Sequence, residues 1–166
     1  MFFQTWLATL PLVGLLAGPA GAINLTYYQP QGDVDPAFAN WIGHFYGVAE
    51  LSNPQDNGFM DYFAPDHTIE LGGWNQTQDS VDGLKLRSHF PAKTVIDGDF
   101  PIQKTYHVYG LTKGYYKNGS CQVESYETKF YILKNNGKPL LEPKANSIVN
   151  MELVEQTVSP LACDSY

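Results

Sequence analysis

The 166-residue sequence predicts an α+β domain in which three helices around one short strand precede a long antiparallel sheet. Apolar residues recur at helical spacing from Phe38 to Ala49, and an Asn118-Gly119 pair separates two long strand-like runs. Ser147 to Thr157 reads as a final strand. With 43% apolar, 14% aromatic and 16% charged residues, the chain has the material for one core and too few charges for a disordered segment.

Residues 1 to 22 read as a secretory leader: an apolar run from Leu7 to Leu16, then small residues closing on Ala20, Gly21 and Ala22. The run falls short of the roughly 20 residues that cross a bilayer, and Pro11 interrupts it, so no stable membrane span is expected. Residues 23–34 form a polar lead-in, 35–157 the folded domain and 158–166 a tail. Three sequons, at Asn24, Asn75 and Asn118, agree with a secretory address. Cys121 and Cys163 are the only cysteines. Behind a leader they are expected to pair, closing a loop of about 43 residues that adds about 4 kcal/mol by chain entropy and ties down the tail.

Asp35-Pro36 supplies a helix cap and a proline at the first helical position. Phe38, Trp41, Ile42, Phe45 and Ala49 then form one apolar stripe, ended by Asn53-Pro54. Gly58 to Phe63 suggests a second, short helix, followed by a strand from His67 to Leu71 that Gly72-Gly73 breaks. Ser80 caps an expected third helix through Val81, Leu84 and Leu86 to Phe90, stopped by Pro91. Read as a two-residue turn, Asn118-Gly119 pairs Lys113 with Glu124, Tyr109 with Thr128 and His107 with Phe130. His107, Tyr109, Leu111, Tyr126, Phe130 and Ile132 then make up the inward face, while Tyr106, Val108, Glu127, Lys129 and Tyr131 point away.

The net charge of −7, with no basic run, argues against nucleic acid as a partner. Signature loops for nucleotide or dinucleotide cofactors, the HExxH metal motif and the GxSxG nucleophile motif are absent, so no cofactor is expected. No histidine pair has the spacing of recognised ligands, so no metal site is expected either.

The order of three helices and a short strand before a curved sheet resembles the NTF2-like fold of the SnoaL-like and ketosteroid-isomerase-like families. The resemblance covers roughly Asp35 to Thr157. It also rests on Phe59-Met-Asp-Tyr-Phe-Ala-Pro-Asp66, where that fold's second helix meets its first strand, and on Asp82-Gly-Leu-Lys-Leu-Arg-Ser-His-Phe90, which looks like its third helix. It implies a cone of helices and sheet closed around a deep apolar pocket. Lys104 to Gly110 is similar to the strand that carries one catalytic histidine in the scytalone-dehydratase-like families. Their Tyr-Asp pair, second tyrosine and other histidine would fall on Leu51 and Ser52, on Leu71 and about on Thr128, so only His107 carries over.

His107 is accordingly the first candidate base, with Asp61 the alternative and Tyr126 or Tyr109 holding an enolate-like oxygen. Trp41, Phe45, Tyr109 and Phe130 are expected to line the pocket. His89 is read as a structural cap of the third helix and His44 as solvated. The function expected is cofactor-free dehydration, isomerisation or cyclisation of a small hydrophobic metabolite in the secretory pathway. By resemblance, fungal secondary metabolism is the setting. The rivals are a non-catalytic carrier of an apolar ligand and a secreted interaction protein. An inward histidine with a carboxylate in reach favours the enzyme, a purely apolar pocket the carrier, and a filled interior the interaction protein. Pairing of two copies through their sheet faces stays open.

Overall fold

The structure is a computed structural model and describes residues 23, 25–50, 58–71 and 84–158. Among them lie one α-helix, α1 (Ala37–Ala49), a single 3-10 turn (Met60–Tyr62) and seven strands. The strands are β1 (Gln29–Pro30), β2 (Phe63–Glu70), β3 (Leu84–Asp99), β4 (Gln103–Tyr116), β5 (Cys121–Asn135), β6 (Lys138–Pro139) and β7 (Ile148–Val158). They form a mixed sheet in the order β1-β3-β4-β5-β7-β2, with β6 attached to β5. The β1–β3 and β2–β7 pairs are parallel and the others antiparallel.

This corrects the expected architecture of three helices packed on a sheet. Only the first helix forms as anticipated, while the second is reduced to the 3-10 turn. From Leu84 onward the segment expected as the third helix is strand β3. Leu84, Leu86 and Phe90 are separated by even numbers of residues, so their spacing suits a strand as well as a helix. The β-branched Thr94, Val95 and Ile96 beyond them and a full-length partner in β4 decide the outcome. Pro91, expected as a helix stop, sits beside a register shift where a ladder donor can be spared.

The helix lies across the inner face of β4 and β5. Phe38 stacks on Tyr106 (centroids 4.0 Å apart), and Trp41 and Phe45 meet Phe130 edge-on at 5.4 and 5.1 Å. Phe38, Trp41, Tyr106, Phe130, Ile132 and Ile148 have no or almost no exposed surface and form the centre of the core. Asp35 does not cap the helix with its side chain. Its carboxylate instead accepts from Lys104 Nζ (2.8 Å) and Tyr106 Oη (2.6 Å) on β4.

The β4–β5 hairpin forms where expected but one residue out of the expected register. Lys113 faces Val123, Thr112 faces Glu124 and His107 faces Lys129. The loop is Lys117–Asn118–Gly119: Tyr116 bonds Ser120, and Gly119 takes the positive φ of +84°. Asn118 has no positive φ, which excludes the two-residue turn that needs one at both central positions. A slip of one residue exchanges the faces of β4. Tyr106 and Val108 therefore point into the core, and His107 and Tyr109 lie on the opposite face.

Candidate active site

Between α1 and the inner face of the sheet lies a cavity of about 220 Å³. Phe45, Ala49, Phe59, Phe130, Met151 and Leu153 give it an apolar wall, and Leu71, 46% exposed, places one edge at the surface. The remaining lining is polar: Tyr46, Arg87, His89, Thr112, Tyr126, Thr128 and Gln156.

The candidate reactive pair is Glu50 and His89. Glu50 follows the last turn of α1, and His89 lies on β3, where cross-strand pairing with Thr112 fixes its place. Glu50 Oε1 accepts a short hydrogen bond from the His89 main-chain N–H and lies 3.2 Å from ring Nδ1. Because the carboxylate can only accept, it assigns the ring proton to Nδ1 and leaves Nε2 as the basic nitrogen. Tyr46 stacks flat on the imidazole at 4.4 Å, and Tyr126 meets its edge at 5.8 Å. Burial pushes the His89 imidazole below its ordinary value of 6.5; Glu50 opposes this and Arg87 adds to it. The ring is thus neutral at neutral pH.

The two tyrosines have the opposite polarity. Burial raises both phenols far above their ordinary value, so both stay protonated donors. Their rings meet edge-on at 5.7 Å, and the Tyr46 hydroxyl is turned toward Tyr126 and Thr128 without hydrogen-bond geometry to either. Tyr126 Oη and Thr112 Oγ1 are also buried without a partner. Leaving a buried hydroxyl unpaired costs about 1–3 kcal/mol, which a ligand oxygen could recover. Tyr126 reaches across the sheet because its partner on β4 is Gly110. A Cβ there would lie 2.7 Å from the Phe90 carbonyl oxygen and from Cε1 and Cζ of Tyr126.

Of the residues expected to act, Tyr126, Phe45 and Phe130 line the cavity and Trp41 packs in the core beside it. His107 does not face it. On the outer face, its Nδ1 lies 3.0 Å from Tyr109 Oη and its Nε2 3.1 Å from Glu127 Oε2, with Lys129 and Asp97 paired nearby at 2.9 Å. Asp61 is exposed on the 3-10 turn, where its carbonyl accepts from Asn146, and His44 is exposed on α1. The reading of His89 as a helix cap fails with the helix itself. Asn118 is exposed in the β4–β5 loop, whereas Asn24, Asn75, Cys163 and the leader lie outside the described residues. No cluster of three metal-ligating side chains exists among the described residues. No helix among them is long and apolar enough to cross a membrane.

Tyr46, Glu50 and His89 are the residues that sequence reasoning passed over as reactive groups. One signal pointed to two of them: Tyr46 and Glu50 are four residues apart at the end of the apolar stripe, hence on one side of the helix.

No protein-family model matches the chain, and no curated protein matches its sequence. Among solved structures it is similar to a provisionally named aromatic ring hydroxylase from Novosphingobium aromaticivorans. The TM-score is 0.54 at 12% identity, over 74% of this chain and 91% of that one. The likeness is one of fold.

Proposed function

We propose that this protein is a cofactor-free acid–base enzyme of the NTF2-like kind, a lyase, isomerase or cyclase acting on a small hydrophobic metabolite. The observation that carries the reading is His89, held by the Glu50 carboxylate at its main-chain N–H and at ring Nδ1, in a cavity with an apolar wall. It meets the criterion of an inward histidine with a carboxylate in reach. In the reaction, His89 Nε2 removes a proton from a carbon next to a carbonyl. The electron pair moves onto the carbonyl oxygen, where the Tyr46 and Tyr126 hydroxyls stabilise the charge, and the imidazolium returns the proton at the product position. Glu50 fixes the tautomer and stabilises the cationic ring. Leader, sequons and cysteine pair add a secretory-pathway location to the proposal.

The test is α-proton exchange of a compact ketone, 2-indanone, followed by NMR in D2O. His89→Gln is expected to lower the catalysed rate roughly 10²- to 10⁴-fold. His107→Ala, on the other face, leaves it unchanged. Equal rates in wild type and His89→Gln would overturn the reading.

A further inference from the structure

Thr112 occupies a singular place in the cavity. It is 3% exposed and stands on β4 directly between His89 of β3 and Glu124 of β5. Opposed residues of an antiparallel pair share a face, so the three form one polar row across the inner side of the sheet. The Glu124 carboxylate is held by amide donors, Gln122 Nε2 at 2.8 Å on one oxygen and Gln156 Nε2 in a short bond on the other. Thr112 Oγ1 has no partner at all among the described residues, although it is buried and lines the cavity. A valine would fill the same volume in a strand without a stranded hydroxyl, so packing does not account for this threonine.

The second group of unpaired hydroxyls belongs to Tyr46 of α1 and Tyr126 of β5. Tyr126 crosses Gly110, two residues from Thr112, which is about 7 Å of strand. That span is about one ring with a substituent at each end. We propose that Thr112 is a specificity residue, and that the cavity takes a compact, mostly apolar ring compound with two oxygen functions on opposite sides. One oxygen is held by Tyr46 and Tyr126, the other by the Thr112 hydroxyl. The proposal deepens the reading of this cavity as the reaction site and rests on it for the catalytic sense of the tyrosine subsite.

Two isosteric probes separate the contributions: 4-ethylphenol, with one oxygen, and 4-(hydroxymethyl)phenol, with two. Calorimetric titration of the full chain is expected to show 4-(hydroxymethyl)phenol losing roughly tenfold in affinity on Thr112→Val, with 4-ethylphenol unchanged or tighter. Without ligand, Thr112→Val should melt at the same temperature as wild type or higher, because an unpaired buried hydroxyl is removed. An equal change for both probes, no measurable binding of either to wild type, or a less stable ligand-free variant would overturn the proposal. Binding does not require turnover. Failure of His89→Gln to slow proton exchange would remove the proposed reaction and leave this binding result standing.

Discussion

Glu50 and His89, 39 positions apart in the chain, are joined twice through one carboxylate oxygen, once at the main-chain N–H and once at ring Nδ1. The main-chain contact holds the carboxylate beside the residue, and the ring meets it through Nδ1, so turning the ring away gives up the second contact. In the proposed reaction this makes Glu50 a positioning residue, since it holds His89 without lying on the reacting atoms.

Glu50→Gln keeps the shape and removes the charge. Glu50 raises the proton affinity of His89 against the effect of burial. The variant is therefore expected to move the acid limb of the rate–pH profile to lower pH and to reduce the maximal rate, roughly tenfold or more. Full pH profiles of 2-indanone exchange check this. A lower rate with an unmoved limb would assign Glu50 a purely structural part.

His89 also sets a pH dependence of stability. Burial holds its folded value below 6.5, so on unfolding the ring takes up a proton that the folded chain refuses. Its contribution is whole above pH 6.5 and is lost as the pH falls from there through the folded value. His107 is lowered in the same direction, first by burial. Urea midpoints are expected to drop between pH 7.5 and 5.5, and to drop less in His89→Gln. Parallel drops in the two proteins would exclude His89 as a source.

Gly110→Ala tests whether the glycine makes room for Tyr126. The added methyl meets backbone as well as ring, so the expected cost is about 1–3 kcal/mol. In a double-mutant cycle with Tyr126→Ala, the cost should shrink in proportion to the share of the clash that the ring causes. Denaturant unfolding of the four proteins reads it. An additive cycle would place the whole clash at the Phe90 carbonyl.

Much of the fold was legible because it is local. The stripe of α1, the β4–β5 hairpin and β7 announce themselves in spacings of a few residues. The register was not, since an Asn-Gly pair serves a two-residue loop and the last two positions of a three-residue loop equally well. That single residue of difference sent His107 to the outer face. Glu50 and His89 were illegible as a pair because only the path of β3 beside the end of α1 brings them together. Reading β3 as a helix removed that path. Tyr126, Phe45 and Phe130 survived the register error because parity within β5 and along α1 is preserved when β4 slips.

The proposed secretory route is open to direct measurement. Asn118 is exposed in its loop, with its Oδ1 accepting from the Ser120 main chain at 2.9 Å. Protein secreted from eukaryotic cells should carry glycan there, and release by an amidase should convert it to aspartate. Paired cysteines should make the deglycosylated chain about 2 Da lighter than the dithiol. An unmodified Asn118 with free thiols would remove the secretory proposal.

The carboxylate of Asp35, given up as a helix cap, ties the start of α1 to Lys104 and Tyr106 on β4, just as Glu50 ties its end to β3. The helix is thus a beam of about 20 Å fixed at both supports rather than a cantilever. A beam held this way resists tilting, and contacts at both ends set the height of the roof it forms above the sheet. For the proposed ring ligand, selection is then by rigid gauge: a molecule that needs the roof to lift is refused, and one that fits meets groups already in position.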